Sequence, residues 1–233
     1  MQEWGWGQGR CGPMNPPELL SRLVRNLAET DDGRPLLTRL CEACVDTFQA
    51  QGGALTVSAG RGEQAAVSTP GVFEDLEPLQ EVLGEGPVHQ AMADDRVVAV
   101  RIGSLVDEYP VFSQLTGAVG GEATLYAVPM RGEGRVVGAL SMYVTADPRA
   151  RSSEDLQFVA DAVGTILLGN AELLDWSERS PFHLATGMVV AQLGIGPDDA
   201  SAMIRAHAFS RSTSLLSAAQ DVLERRVTFS YDD

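Results

Sequence analysis

The stretch TLYAVPMRGEGRVVGALSMYV, residues 124–144, decides the fold. It reads as two apolar strands, Thr124 to Met130 and Arg135 to Val144, joined by Arg131-Gly132-Glu133-Gly134. Two such runs linked by a short glycine-containing turn predict an antiparallel hairpin. The run Val136, Val137, Ala139, Leu140, Met142, Tyr143 and Val144 is the best strand of the chain.

Working outward, Ala54 to Ala59 and Gln64 to Ser68 predict a second hairpin across Gly60-Arg61-Gly62. Val97 to Val100 is a short buried strand. Between these runs lie helix candidates: acidic Glu74 to Leu83, Val88 to Ala93, and Pro110 to Thr116. Two amphipathic helices come first. Pro16 to Glu29 places Leu19, Leu20, Leu23, Val24 and Leu27 on one face. Pro35 to Gln49 follows. The order predicts an α+β domain over residues 16–150, an antiparallel sheet with helices stacked on one face. Residues 1–15, rich in glycine, read as a disordered leader, with Met14 an alternative start to Met1.

Ser152 to Glu178 is the longest helical pattern. Leu156, Val159, Val163, Ile166, Asn170 and Leu173 recur at alternating spacings of three and four. That spacing is a heptad seam, with Asn170 where a buried asparagine favours a parallel dimer. Residues 151–180 are therefore expected to link the domains and to join two copies in a homodimer. Three shorter helices follow within residues 181–230: Pro181 to Leu193, Pro197 to about Arg211, and Ser214 to about Arg226.

The net charge is −15 and every one of the 17 basic residues is arginine. Phosphate attraction normally drives nucleic-acid binding, so an acidic chain argues against it. The acid is unevenly placed. In residues 181–230, Arg205, Arg211, Arg225 and Arg226 balance Asp198, Asp199, Asp221 and Glu224. No apolar run approaches the roughly 18 residues that span a bilayer, so a cytoplasmic protein without membrane contact is expected. Cys41-Glu-Ala-Cys44 is formally a redox or metal spacing, but the pair shares a helix stripe with Leu37, Leu40, Val45 and Phe48. Free cysteines in such a stripe behave as small hydrophobes. His89, His183 and His207 supply no matching ligand spacing. No hydrolase, metalloprotease or phosphate-loop pattern occurs. The expectation is a non-enzyme without cofactor or metal.

Two groups of motifs carry a family resemblance. In the first helix of residues 181–230, Ala185-Thr186-Gly187-Met188 precedes Gln192-Leu193-Gly194. Asp199-Ala200, Ile204-Arg205-Ala206-His207-Ala208, Leu215-Leu216, Ala219 and Val222 follow. In this order they resemble the ANTAR family of RNA-binding transcription antiterminators. Residues 34–175 resemble a GAF domain of the kind fused to such modules. The matching residues are Leu83-Gly84-Glu85-Gly86-Pro87, Ala91, Arg96-Val97-Val98, Tyr109-Pro110-Val111-Phe112, Ala127-Val128-Pro129-Met130 and Val137 to Tyr143. Two positions depart from the families. Leu184 and Thr186 stand where glutamine and lysine are common, and Val88 stands where a cysteine is frequent.

The resemblance implies a sensor domain whose small-molecule or protein signal is unknown, a linking helix, and a three-helix RNA-binding module that recognises RNA hairpins. Thr186, Gly187, Arg205, His207 and Arg211 are its candidate RNA contacts. Arg205 and Arg211, six residues apart, project about 120° from each other around a helix and can share a broad surface. The sensor pocket is expected between the sheet and the region from Gly84 to Ala118; His89 reads by default as an exposed histidine at a helix start, with a place on the pocket rim as the alternative. The alternative is a sensor whose helical tail binds a protein rather than RNA, which the missing lysine at Thr186 favours.

Overall fold

The structure, a computed structural model, describes residues 15–31, 33–60, 63–71, 74–117, 123–145, 152–170 and 180–230. Residues 1–14 of the expected leader, and Leu173 of the expected seam, lie outside them, while Asn15 is the N-cap of α1. The elements run α1 (Pro16–Glu29), α2 (Leu36–Phe48), β1 (Gly52–Gly60), β2 (Glu63–Ser68), α3 (Leu76–Leu83), α4 (Pro87–Asp94), β3 (Val98–Arg101), α5 (Pro110–Thr116), β4 (Thr124–Gly132) and β5 (Arg135–Val144). Then come α6 (Ser153–Gly169), α7 (Ser180–Leu193), α8 (Pro197–Ser210) and α9 (Leu215–Leu223).

The five strands form one antiparallel sheet in the order β2-β1-β5-β4-β3. The hairpin expected from residues 124–144 is present. Its turn puts Glu133 at φ 51° and Gly134 at φ 77°, the paired left-handed geometry that matches strand twist.

The sheet is covered on both faces, not on one. Side chains alternate across a strand. On one face Leu55, Val57, Tyr126, Val128, Met130, Leu140 and Met142 share a core with α1, α2 and α6. On the other, Leu125 and Tyr143 pack with Leu76, Tyr109 and Phe112, and Ala127 and Ala139 pack with Val88 and Ala91. The continuous apolar character of β4 and β5, rather than an alternation of apolar and polar, is the mark of this double covering. Cys41 and Cys44 lie inside the α2 core, as their stripe predicted. Burial pushes the Cys41 thiol up to about 12, and it raises Cys44 as well, so neither is a ready thiolate.

The seam expected on α6 is not available. Leu156, Val159 and Val163 are fully buried in the domain's own core, and Ile166 packs against it. Asn170 is the C-cap, and its side-chain amide donates to the Ile166 carbonyl at 2.8 Å. The heptad-like spacing records how α6 lies on β4. Ser152 caps its start, its Oγ accepting from the Glu154 and Asp155 amides. Asp161 Oδ1 accepts from the Arg131 amide at 3.2 Å, beside the register irregularity of β4. Gly164 permits the approach, since a Cβ there would stand 2.5 Å from the Arg131 carbonyl oxygen.

Helices α7, α8 and α9 pack around Ala185, Val189, Leu193, Ala200, Ile204, Ala208, Leu215, Ala218, Ala219 and Val222. Ser214 caps α9, accepting from the Ser217 amide at 3.1 Å. Helix α7 ends at the expected Leu193, α8 at Ser210 beside the expected Arg211, and α9 at Leu223, short of the expected Arg226. No helix among the described residues is long and apolar enough to cross a membrane.

Replacing Gly164 with valine forces α6 off β4. Denaturant unfolding of the variant is expected to show a loss of about 3 kcal/mol, the upper range for overpacking a tight core.

Candidate functional site

The polar heart of the sensor half begins with two hydroxyls on an otherwise apolar sheet. Thr56 on β1 and Ser141 on β5 both face α3 and α4. Thr56 is opposite Ala139, and Ser141 is opposite Ala54, so the two are diagonal neighbours on paired strands. Above them α3 lays down Glu77, 3% exposed. Thr56 Oγ1 donates to Glu77 Oε1. Ser141 Oγ and Gln80 Nε2 each donate to Glu77 Oε2 at 3.2 Å.

The motif Leu83-Gly84-Glu85-Gly86-Pro87 acquires a physical meaning around this carboxylate. Gly84 takes φ 66° to end α3. Glu85 Oε1 accepts from the Phe112 amide in the first turn of α5 at 2.9 Å. At Gly86 a Cβ would stand 2.6 Å from Gln80 Oε1, so glycine leaves the Gln80 side chain room to accept from the Val88 amide at 2.9 Å. Pro87 then opens α4. One turn therefore ties α3, α4 and α5 together through side-chain hydrogen bonds.

A cavity of about 10 Å³ sits here, lined by Thr56, Ala66, Glu77, Gln80, Glu81, Val88 and His89. It has room for about one water. His89 lines it rather than standing exposed at the helix start, and its Nε2 meets the Gln80 carbonyl at 3.0 Å. Burial lowers the His89 pKa, and the nearby Arg205 charge lowers it further. A second, open groove of about 380 Å³ runs along the sheet edge at β3, lined by residues that include Arg96, Arg101, Glu108 and Tyr109. Its size is that of a small-molecule site, and it lies within the region expected for the pocket. Among the described residues no cluster of three or more histidine, cysteine or acidic side chains is placed to hold a metal ion.

The candidate RNA contacts do not converge. Arg205 faces the sensor half, with its Nη1 3.3 Å from the point where a Gly84 Cβ would stand. Its guanidinium carbon lies 5.6 Å from the Phe182 ring centroid, a cation–π distance. Its Nε is buried and has no hydrogen-bond partner among the described residues. Arg211 is exposed at the C-cap of α8. Thr186 Oγ1 donates to the Phe182 carbonyl four residues back at 2.8 Å, Gly187 is open to solvent, and the His207 ring meets Phe229 edge-on at 6.0 Å. Of the expected set, Gly187 and Arg211 are exposed, and Arg205 is withdrawn into the contact between the two halves. Arg226 is paired with Asp221 and Glu224.

What the sequence did not reveal is the role of α3. Val82 joins the core of the C-terminal bundle beside Ala185, Val189 and Ile204, while Leu76 joins a sensor core. The sequence marked this stretch only as acidic and helical. The available signal was narrow: Thr56 between Leu55 and Val57, and Ser141 between Leu140 and Met142, mark polar positions on covered strands.

Burial dominates Glu77 and raises its pKa from 4.5 to about 7, against the Thr56 and Ser141 hydrogen bonds that lower it. The folded state therefore holds a proton that the unfolded chain releases. The stability from this proton is fully present below pH 4.5 and is lost as pH rises through about 7. Glu77→Gln, which stays neutral, is expected to remove a pH-dependent loss on the order of 3 kcal/mol between pH 4.5 and 8. Denaturant melts of both proteins across that range check it; parallel pH profiles would contradict it.

A family model described as GAF domain matches residues 34–168. No curated protein shows significant similarity to the chain. Among solved structures, a GAF domain of A. aeolicus nlh2 in an inactive state aligns at 10% identity and a TM-score of 0.43, covering 68% of this chain and 96% of that one. A free methionine-R-sulfoxide reductase from Neisseria meningitidis aligns at 15% identity and a TM-score of 0.43, covering 68% and 92%. The GAF domain of an Acinetobacter phosphoenolpyruvate-protein phosphotransferase aligns at 12% and 0.43, covering 68% and 96%. The family match spans more than half the chain and includes the whole five-stranded sheet and the turn that orders α3, α4 and α5: the protein belongs to the GAF domain family.

Proposed function

We propose that the protein is a non-catalytic signal-responsive regulator, in which the GAF domain senses a small molecule and the C-terminal three-helix unit is an RNA-hairpin-binding antitermination module. The observation that carries the regulatory reading is α3, which belongs to both cores through Leu76 and Val82. A change at the sensor has a direct mechanical route to the output unit. The open groove along β3 and the small cavity at Glu77 are the two candidate seats of the signal.

The RNA reading is supported by the ANTAR-like motif order across α7 to α9 and by the local balance of charge there. Arg211 and Gly187 supply an exposed cation and a point of close approach. Arg205 joins them only when the unit leaves the sensor half. A second reading, a protein-binding tail, draws support from Leu184, Phe209 and Leu216, which are 58%, 44% and 37% exposed on the same unit.

Gel shifts on RNA carrying tandem hairpins test the choice. Arg211→Ala is expected to weaken binding about fivefold at low salt and to reduce the salt slope by about 0.7 to 0.9, the loss of one phosphate contact. Binding that is absent, or indifferent to Arg211→Ala at every salt concentration, contradicts the RNA reading. Leu184→Asp is expected to leave RNA affinity within twofold if the exposed leucines serve a protein partner.

A further inference from the structure

Helix α3 presents three sides to three environments. Glu77 and Gln80 face the sheet and the small cavity. Leu76 packs with Tyr109, Phe112 and Tyr143, with Leu79 and Leu83 beside it. Val82, 8% exposed, is buried in the core of the α7–α9 bundle. The next residue but one, Gly84, is covered by the Arg205 guanidinium, which Phe182 backs from the other side.

These contacts constrain one another. The cavity at Glu77 measures about 10 Å³, while small-molecule pockets measure about 300 to 1,000 Å³. An occupant larger than a water must displace a wall of the cavity, and the element that supplies the largest share of the lining is α3, through Glu77, Gln80 and Glu81; displacing it lifts α3 from Thr56 and Ser141. The bundle sits on the outer side of α3, so that movement strains its seat at Val82 and Gly84. Packed cores resist continuous deformation and exchange between discrete arrangements.

We propose that the C-terminal bundle is an intramolecular lid, seated on α3 through Val82 and Arg205, and that filling the Glu77 cavity and seating the bundle exclude one another. An uncharged or cationic group with hydrogen-bond donors fits the cavity best, because the Glu77 carboxyl oxygens line it. Release of the lid frees Arg205 from Gly84 and uncovers the apolar side of α3. The inference rests on the sensor reading of the GAF domain but not on RNA as the output.

The full chain tests it through thiol labelling. Val82→Cys in a Cys11→Ser background places a thiol under the lid, and Cys41 and Cys44 remain buried in the separate α2 core. Labelling of a buried thiol follows the population of the opened form. Ala66 lines the cavity from β2, so Ala66→Phe acts as a tethered occupant. The expected result is labelling of the Val82→Cys thiol at least tenfold faster with Ala66→Phe, and faster also with Arg205→Ala. An unchanged rate with Ala66→Phe overturns the proposal, including the case in which Arg205→Ala alone accelerates labelling. Labelling at Cys41 and Cys44 would reveal unfolding, and Ala66→Leu then provides the smaller occupant with the same two outcomes. Failure of the RNA reading would appear separately, in the gel shifts.

Discussion

A carboxylate held between a sheet and a helix, without a buried counter-charge on its hydrogen-bonding groups, is the constraint around which this protein is arranged. Glu77 is satisfied by Thr56, Ser141 and Gln80. Thr56 and Ser141 come from neighbouring strands and Gln80 from α3 itself, so the two hydroxyls hold α3 over β1 and β5. Gln80 then reaches α4, and Glu85 reaches α5. A helix of eight residues has little intrinsic stability. Its place is set by side-chain hydrogen bonds and by the apolar surfaces on either side of it.

That placement has a consequence for the second half of the molecule. A bundle of about fifty residues buries a small core. Val82 adds a side chain from outside the bundle to that core, and Arg205 closes over Gly84. Among the described residues the two halves therefore meet through the element that carries the buried carboxylate. Because Val82 follows Glu77 by five residues, a shift at one end of this short helix is felt at the other.

The hairpin of β4 and β5, the helix of Cys41 and Cys44, and the three C-terminal helices were legible because each is stated by local periodicity and by glycine, proline or serine punctuation. The two-sided covering of the sheet was misread, although β4 and β5 are apolar at nearly every position, a pattern that belongs to strands buried on both faces. The α6 seam failed for a related reason: a spacing of three and four describes any buried helical stripe, whether it meets a second chain or its own sheet. Among the site residues, His89 was only half legible: its place after Pro87 allowed a rim position, but the default reading was an exposed helix start. The burial of Glu77 and Arg205 was not legible, since burial of a charged side chain depends on partners far away in sequence. Arg205 carries no local sign that Gly84, more than a hundred residues earlier, lies beneath it.

The central claim is that α3 belongs energetically to both halves. Hydrogen exchange of the full chain carrying Ile204→Ala, a substitution in the bundle core expected to cost about 2 to 4 kcal/mol, tests this most directly. The account predicts that amides of residues 76–83 lose protection together with those of α8, while β4, β5 and α6 keep theirs. Protection of residues 76–83 that stays with the sheet, as the bundle loosens, would contradict it.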